Sequence, residues 1–88
     1  CSYTIGTIVD ISDIMNQPYK FITIGKVPGD IYTYTRLVYS EETIILDHEY
    51  NEIGVEDLKV GDTVVAFHSN AMTMSIPPQT SVFIIEVK

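Results

Sequence analysis

Val55-Glu-Asp-Leu-Lys-Val-Gly-Asp-Thr-Val-Val-Ala-Phe67 is a corner that launches a strand. Val55 and Leu58 are spaced i, i+3, which puts both on one face of a single helical turn. A turn so short does not hold itself and must be fixed by packing. Gly61-Asp62 follows. Glycine takes positive φ without a steric penalty, and aspartate hydrogen-bonds its own backbone nearby. Thr63 to Phe67 is β-branched and aromatic, a strand signal. The stretch reads as a helical turn plugging the mouth of a small barrel, then a Gly-Asp turn into a strand. Asp57 and Asp62 are expected as cap and turn residues.

Working outward, the rest of the chain is strands and turns. Tyr3 to Ile11 alternates, and its apolar face is expected to carry Tyr3, Ile5, Thr7, Val9 and Ile11. Gly6 in mid-strand marks a bend or bulge. Ser12 to Pro18 is a polar connection. Tyr19 to Gly25 is a second strand, with Ile22 and Ile24 on one face. Val27-Pro28-Gly29-Asp30 suits a type II turn. Ile31 to Tyr39 is a third strand, with Tyr32 and Tyr34 on one side. Thr43 to Leu46 is a short strand, and Asp47 to Gly54 an acidic loop. The strand from Thr63 runs to His68, and Ser69 to Gln79 is a loop. Thr80 to Val87 closes the chain, with Phe83, Ile85 and Val87 sharing a face.

The 88 residues are read as one domain, spanning 1–88. Its predicted class is all-β: a small six-stranded antiparallel barrel or sandwich, OB-like, with one short helical turn. At 45% hydrophobic and 19% charged residues, the chain is globular rather than disordered. No apolar run approaches the roughly 20 residues that cross a bilayer as a helix.

The formal net charge is −7, and the five basic residues are scattered. Phosphate backbones need a basic face, so nucleic acid is not expected as a partner. Eight of the twelve acids lie between Glu41 and Asp62. Such a face is commonly a solvated surface, and the regular oxygen-ligand spacing of a calcium loop is absent. The one cysteine, Cys1, has no partner for an internal disulfide. It reads as an intermolecular link, as a lipidated thiol, or as an idle thiol at a cut end. A membrane partner is expected only if Cys1 carries lipid.

No catalytic constellation emerges. His48 and His68 read as surface or rim residues, without a nucleophile in supporting context. Their spacing fits no zinc or copper pattern, so no metal or cofactor is expected. Glu41-Glu42 and Glu56-Asp57 are adjacent pairs that point apart on a strand and do not converge. Two clusters stand out instead. Tyr32 and Tyr34 can stack on a sugar or anchor a partner, or can simply pack across strands. The loop holding Met72, Met74, Ile76 and the stiff Pro77-Pro78 pair is expected to fold back as a cap, the alternative being contact with a partner.

Met72-Thr-Met-Ser-Ile-Pro-Pro-Gln79, after Asp57-Leu-Lys-Val-Gly-Asp62, resembles a small β module of secreted and surface proteins of Gram-positive anaerobes and spore formers. The resemblance covers roughly Thr43 to Val87. A basic residue often stands in that family where this chain has Met74. Its members often carry a second domain similar to the copper amine oxidase N-terminal module, absent from this sequence. The resemblance implies an extracellular, cell-surface location and a barrel-like fold, and it transfers no activity.

The expected function is a non-enzymatic structural subunit that associates with itself or with other surface proteins through its terminal strands, building a filament. The alternative is a cell-surface module binding a glycan or peptide. Tyr32, Tyr34, Met72, Met74, Pro77 and Pro78 are the candidate contact residues, and Cys1 the candidate link.

Overall fold

A computed structural model describes residues 2–14 and 19–88. Cys1 and most of the connection ending at Pro18 lie outside the described residues. Among the described residues there are seven strands: β1 (Ser2–Asp13), β2 (Lys20–Gly25), β3 (Tyr34–Tyr39), β4 (Ile44–Leu46), β5 (Glu52–Ile53), β6 (Thr63–His68) and β7 (Gln79–Val87). The sheet runs β3-β2-β1-β6-β7, and a β3–β7 pairing closes these five into a barrel. β4 and β5 extend the sheet beyond β7. The all-β, small-barrel expectation holds, with corrections to strand count and direction.

The closure is the first correction, because β3–β7 is parallel, as is β4–β7. One edge of the long β7 pairs with β3 over Gln79–Ser81 and then with β4 over Ile84–Glu86. The Ser40–Thr43 detour separates β3 from β4. Buried Thr43 donates its hydroxyl to the Val82 carbonyl at 2.9 Å and bridges the gap in the ladder. The expected acidic loop contains β5, which pairs with β4.

The corner forms as its residues dictate. Val55–Asp57 is one 3-10 turn. Asp57 Oδ2 accepts from the Gly54 N–H, Asp62 Oδ2 accepts from the Lys59 N–H, and Gly61 has φ +103°. Leu58 enters the core, and Val55 packs against it. The core comprises Ile8, Ile22, Ile24, Leu37, Ile45, Val64, Ala66, Val82 and Ile85 with Leu58. Each fully buried isoleucine or leucine contributes about 1.5–3 kcal/mol relative to exposure.

β1 inverts the expected face. Its inward residues are Thr4, Gly6 and Ile8, whereas Tyr3 and Ile5 are 65% and 50% exposed. Pairing with β2 skips Val9 between Ile8 and Asp10. That bulge shifts the phase by one residue, so Ile11 returns to the core side. A strict period of two across the whole strand therefore misassigns its first half. Gly6 lies at a close approach rather than at the bulge, since a Cβ there would sit 3.0 Å from the Gly25 carbonyl oxygen. β7 repeats the device. Its register with β6 shifts at Phe83, so Val82 and Ile85 point in and Phe83 points out, against the expected face.

The third strand starts later than expected. Ile31–Thr33 is a 3-10 turn, because the Asp30 carboxylate caps it by accepting from the Tyr32 N–H at 3.1 Å.

Candidate functional site

Two open depressions lie along β3 and the last loop. One, of about 380 Å³, is lined by Thr4, Lys26, Tyr32, Thr33, Tyr34, Thr35 and Pro78. The other, of about 350 Å³, is lined by Val38, Ala71, Met72, Thr73, Gln79, Thr80 and Ser81. The two clusters separated in sequence thus meet: Tyr32, Tyr34 and Pro78 share the first depression, and Met72 lines the second. The Arg36 N–H donates to the Pro78 carbonyl at 2.8 Å and pins the loop to β3.

Tyr32 and Tyr34 are not a stacked pair on one strand. Tyr32 sits on the 3-10 turn and is 82% exposed. Tyr34 is half-buried: its ring covers Gly25, where a Cβ would clash, and its hydroxyl accepts from the Gly29 N–H at 2.9 Å. Tyr34 is therefore committed to packing, and Tyr32 is the free aromatic.

The loop does not cap the barrel. Met74 is fully exposed, and Ile76 projects as well. The motif residues hold the loop to itself. Thr73 Oγ1 accepts from the Gln79 N–H at 2.9 Å, and the Thr73 hydroxyl reaches Ser75 Oγ at 2.6 Å. The Ser75 hydroxyl donates to the Pro77 carbonyl at 2.9 Å. With Thr73, Ser75 and Pro77 engaged locally, Met74 and Ile76 are left facing outward. The Ile76–Pro77 peptide is cis.

Polar side chains pair where β6 leads into this loop. His68 is 1% exposed, which corrects its expected surface position. Its Nδ1 lies 2.9 Å from the Ser69 carbonyl oxygen, so Nδ1 carries the proton. In the neutral ring Nε2 accepts from the Thr4 hydroxyl at 2.8 Å. Thr80 Oγ1 lies 3.0 Å from the Ser69 carbonyl oxygen and 2.8 Å from that of Ala71. Every buried side-chain polar atom among the described residues has a partner. His48 is exposed beside Glu49, 3.4 Å away.

The acidic stretch is turn chemistry. Asp47 Oδ1 accepts from the N–H groups of Glu49 and Asn51 at 2.8 and 2.9 Å. The Asn51 N–H, the largest effect, holds its carboxyl below the ordinary value of 3.8; desolvation, the next largest, opposes it, and the Glu49 N–H adds to the lowering. Among the described residues no three His, Cys, Asp or Glu side chains group as metal ligands.

A third feature escaped the sequence reading. Tyr3 pairs with Phe67, Phe67 with Ile84 and Ile84 with Ile44. The four form one row across the outside of β1, β6, β7 and β4, with the Tyr3 and Phe67 ring centroids 6.1 Å apart. The next outward row is Ile5, Val65, Glu86 and Leu46. Exposed Phe83 flanks the first row, and Glu86 lies 3.6 Å from Lys88. Reading the other phase of β1 as the inward one would have exposed this face.

Comparison with protein-family models, with curated proteins and with solved structures yields no match for this chain.

Proposed function

We propose that this protein is a non-enzymatic assembly subunit that associates with copies of itself through the outer faces of its terminal strands, β1 and β7. The carrying observation is the outward row Tyr3–Phe67–Ile84–Ile44. Tyr3 and Ile44 are exposed at the two ends of the row, with half-buried Phe67 and Ile84 between them, which makes it a continuous apolar surface open to a partner. The charges on the face are Glu86 and Lys88, 3.6 Å apart and opposite in sign, so two copies can meet there without opposing net negative charge on a chain of net charge −7. About a two-fold axis, the aromatic half of one row (Tyr3, Phe67) lies over the aliphatic half (Ile84, Ile44) of the other.

The size of the face sets the strength. Strands spaced ~4.8 Å with a rise of ~3.3 Å per residue give roughly 250 Å² of flat face per copy. A pair then buries on the order of 500 Å², under the about 1,200 Å² of stable complexes. A single contact is weak, and a second contact is required for growth into a fibre. The projecting Met74 and Ile76 form a second apolar surface for that role. The extracellular setting is part of the proposal and rests on the resemblance of the loop and corner motifs.

Sedimentation velocity over a hundredfold concentration range tests the reading. The expected result is a sedimentation coefficient that climbs for the native chain and stays flat for Tyr3→Glu/Ile44→Lys, two exposed positions. A concentration-independent native chain, or a double variant that associates equally, would reject it.

The second reading is a binding module for a glycan or peptide. It is favoured by the exposure of Tyr32 at the mouth of a depression that also holds Lys26 and Pro78. Amide chemical shifts of Lys26, Tyr32 and Thr35 that move with added cell-wall oligosaccharide, and do not move in Tyr32→Ala, would support it.

A further inference from the structure

The barrel wall is incomplete at one place. β2 ends at Gly25, opposite Thr7, while β1 continues to Ser2. The next rung would pair Ile5 with Val27. Val27 has turned away: its N–H donates to Thr33 Oγ1 at 3.1 Å, and its carbonyl accepts from the Asp30 N–H at 3.0 Å.

The direction of the unused groups follows from register. Ile8 donates its N–H to Asp62 O and accepts from the Gly61 N–H, both at 2.8 Å, so Ile8 faces the β6 side. Alternation then turns the backbone groups of Gly6, Thr4 and Ser2 toward β6 and those of Ile5 and Tyr3 away from it. Among the described residues, no backbone partner from outside the strands reaches Ile5 or Tyr3. The notch beside them is the depression lined by Thr4, Lys26, Tyr32 and Pro78. The sheet's other free edge, β5, is two residues long and carries Glu52, which blunts it. The β1 edge has neither protection.

We propose that this notch takes an extended peptide strand that continues the place of β2, antiparallel to β1, with a carboxylate side chain beside Lys26. Such a strand satisfies the N–H and C=O groups of Tyr3 and Ile5 by strand addition. The lining contains no acid, and Lys26 makes no ion pair among the described residues. In a chain with twelve acids and five bases, an acid-free recess with an uncommitted lysine favours an anionic side chain. Alternate residues of the strand point inward toward Thr4 and Thr35 and outward beside Tyr3 and Ile5, which suits small or β-branched side chains. The proposal rests on the second reading above only in using the same depression.

The test is amide hydrogen exchange followed by NMR on the full chain. Three blocked hexapeptides of alternating Val and Thr, with a central Glu, Gln or Lys, serve as probes. In the free protein, the Tyr3 and Ile5 amides are expected to exchange quickly. The Glu peptide should slow both at least tenfold and bind at least fivefold tighter than the Lys peptide. Lys26→Gln should erase that preference and retain the protection. Slow exchange of both amides in the free chain, or no slowing by any of the three peptides, overturns the proposal. Shifts at Tyr32 without protection of Tyr3 and Ile5 also overturn the edge pairing, and leave the depression as a binding site.

Discussion

The Thr4 hydroxyl and His68 Nε2 lie 2.8 Å apart, 64 residues apart in sequence. Both side chains point inward between β1 and β6. Thr4→Val preserves shape and removes the donor, leaving a ring nitrogen buried without a partner. The expected loss is about 1–3 kcal/mol, read as a lower urea midpoint at unchanged m. A midpoint equal to the native one would mean that the imidazole finds another donor.

Two glycines separate steric from conformational effects. Gly61→Ala places a Cβ in open space, but at φ +103°. The expected cost is about 1–2 kcal/mol, the ordinary penalty of a side chain in the left-handed region. Gly6→Ala has no such backbone penalty but meets the Gly25 carbonyl at 3.0 Å. It should pry β1 from β2, exposing the Thr7 and Ile8 amides to exchange, whereas Gly61→Ala should leave them protected.

Leu37→Ala and Ile44→Ala test the division between core and face. Leu37 is fully buried and should cost about 2–5 kcal/mol in thermal or urea unfolding. Ile44, 43% exposed on the outer row, should cost well under that and instead weaken self-association in sedimentation. A large stability loss with unchanged association for Ile44→Ala would assign the row to folding alone.

The stability that Asp47 supplies falls in acid. Its folded carboxyl is held below the ordinary 3.8, chiefly by the Asn51 N–H. The stability it supplies is therefore present above the ordinary carboxylate value and is lost as pH falls through the lowered folded value. The difference in urea midpoint between the native chain and Asp47→Ala should be constant from neutral pH down to about 5, then narrow toward pH 2. A difference that persists unchanged at pH 2 would mean that the carboxylate charge plays no part.

The corner at Val55–Phe67 was legible because its signals are local: i, i+3 spacing, a Gly-Asp turn and a β-branched run. The same holds for Ile22 and Ile24 on the inner face of β2, and for the turn at Val27–Asp30. Tertiary structure decided what depends on contacts distant in sequence. Bulges at Val9 and Phe83 reset which face is inward, and nothing local in either strand announces them. His68 is buried because Thr4 and the Ser69 carbonyl satisfy its two nitrogens, a pairing that strand register alone creates. Tyr32 and Pro78 share a depression because the Arg36 N–H ties the loop's end to β3. The outer apolar row exists because register aligns one residue from each of four strands. Sequence by itself determined the all-β class and most of the strands and turns, since propensity and turn chemistry act within a few residues. Only the closed barrel decided which side chains face solvent, because facing follows from register, and register is fixed by packing across the whole sheet.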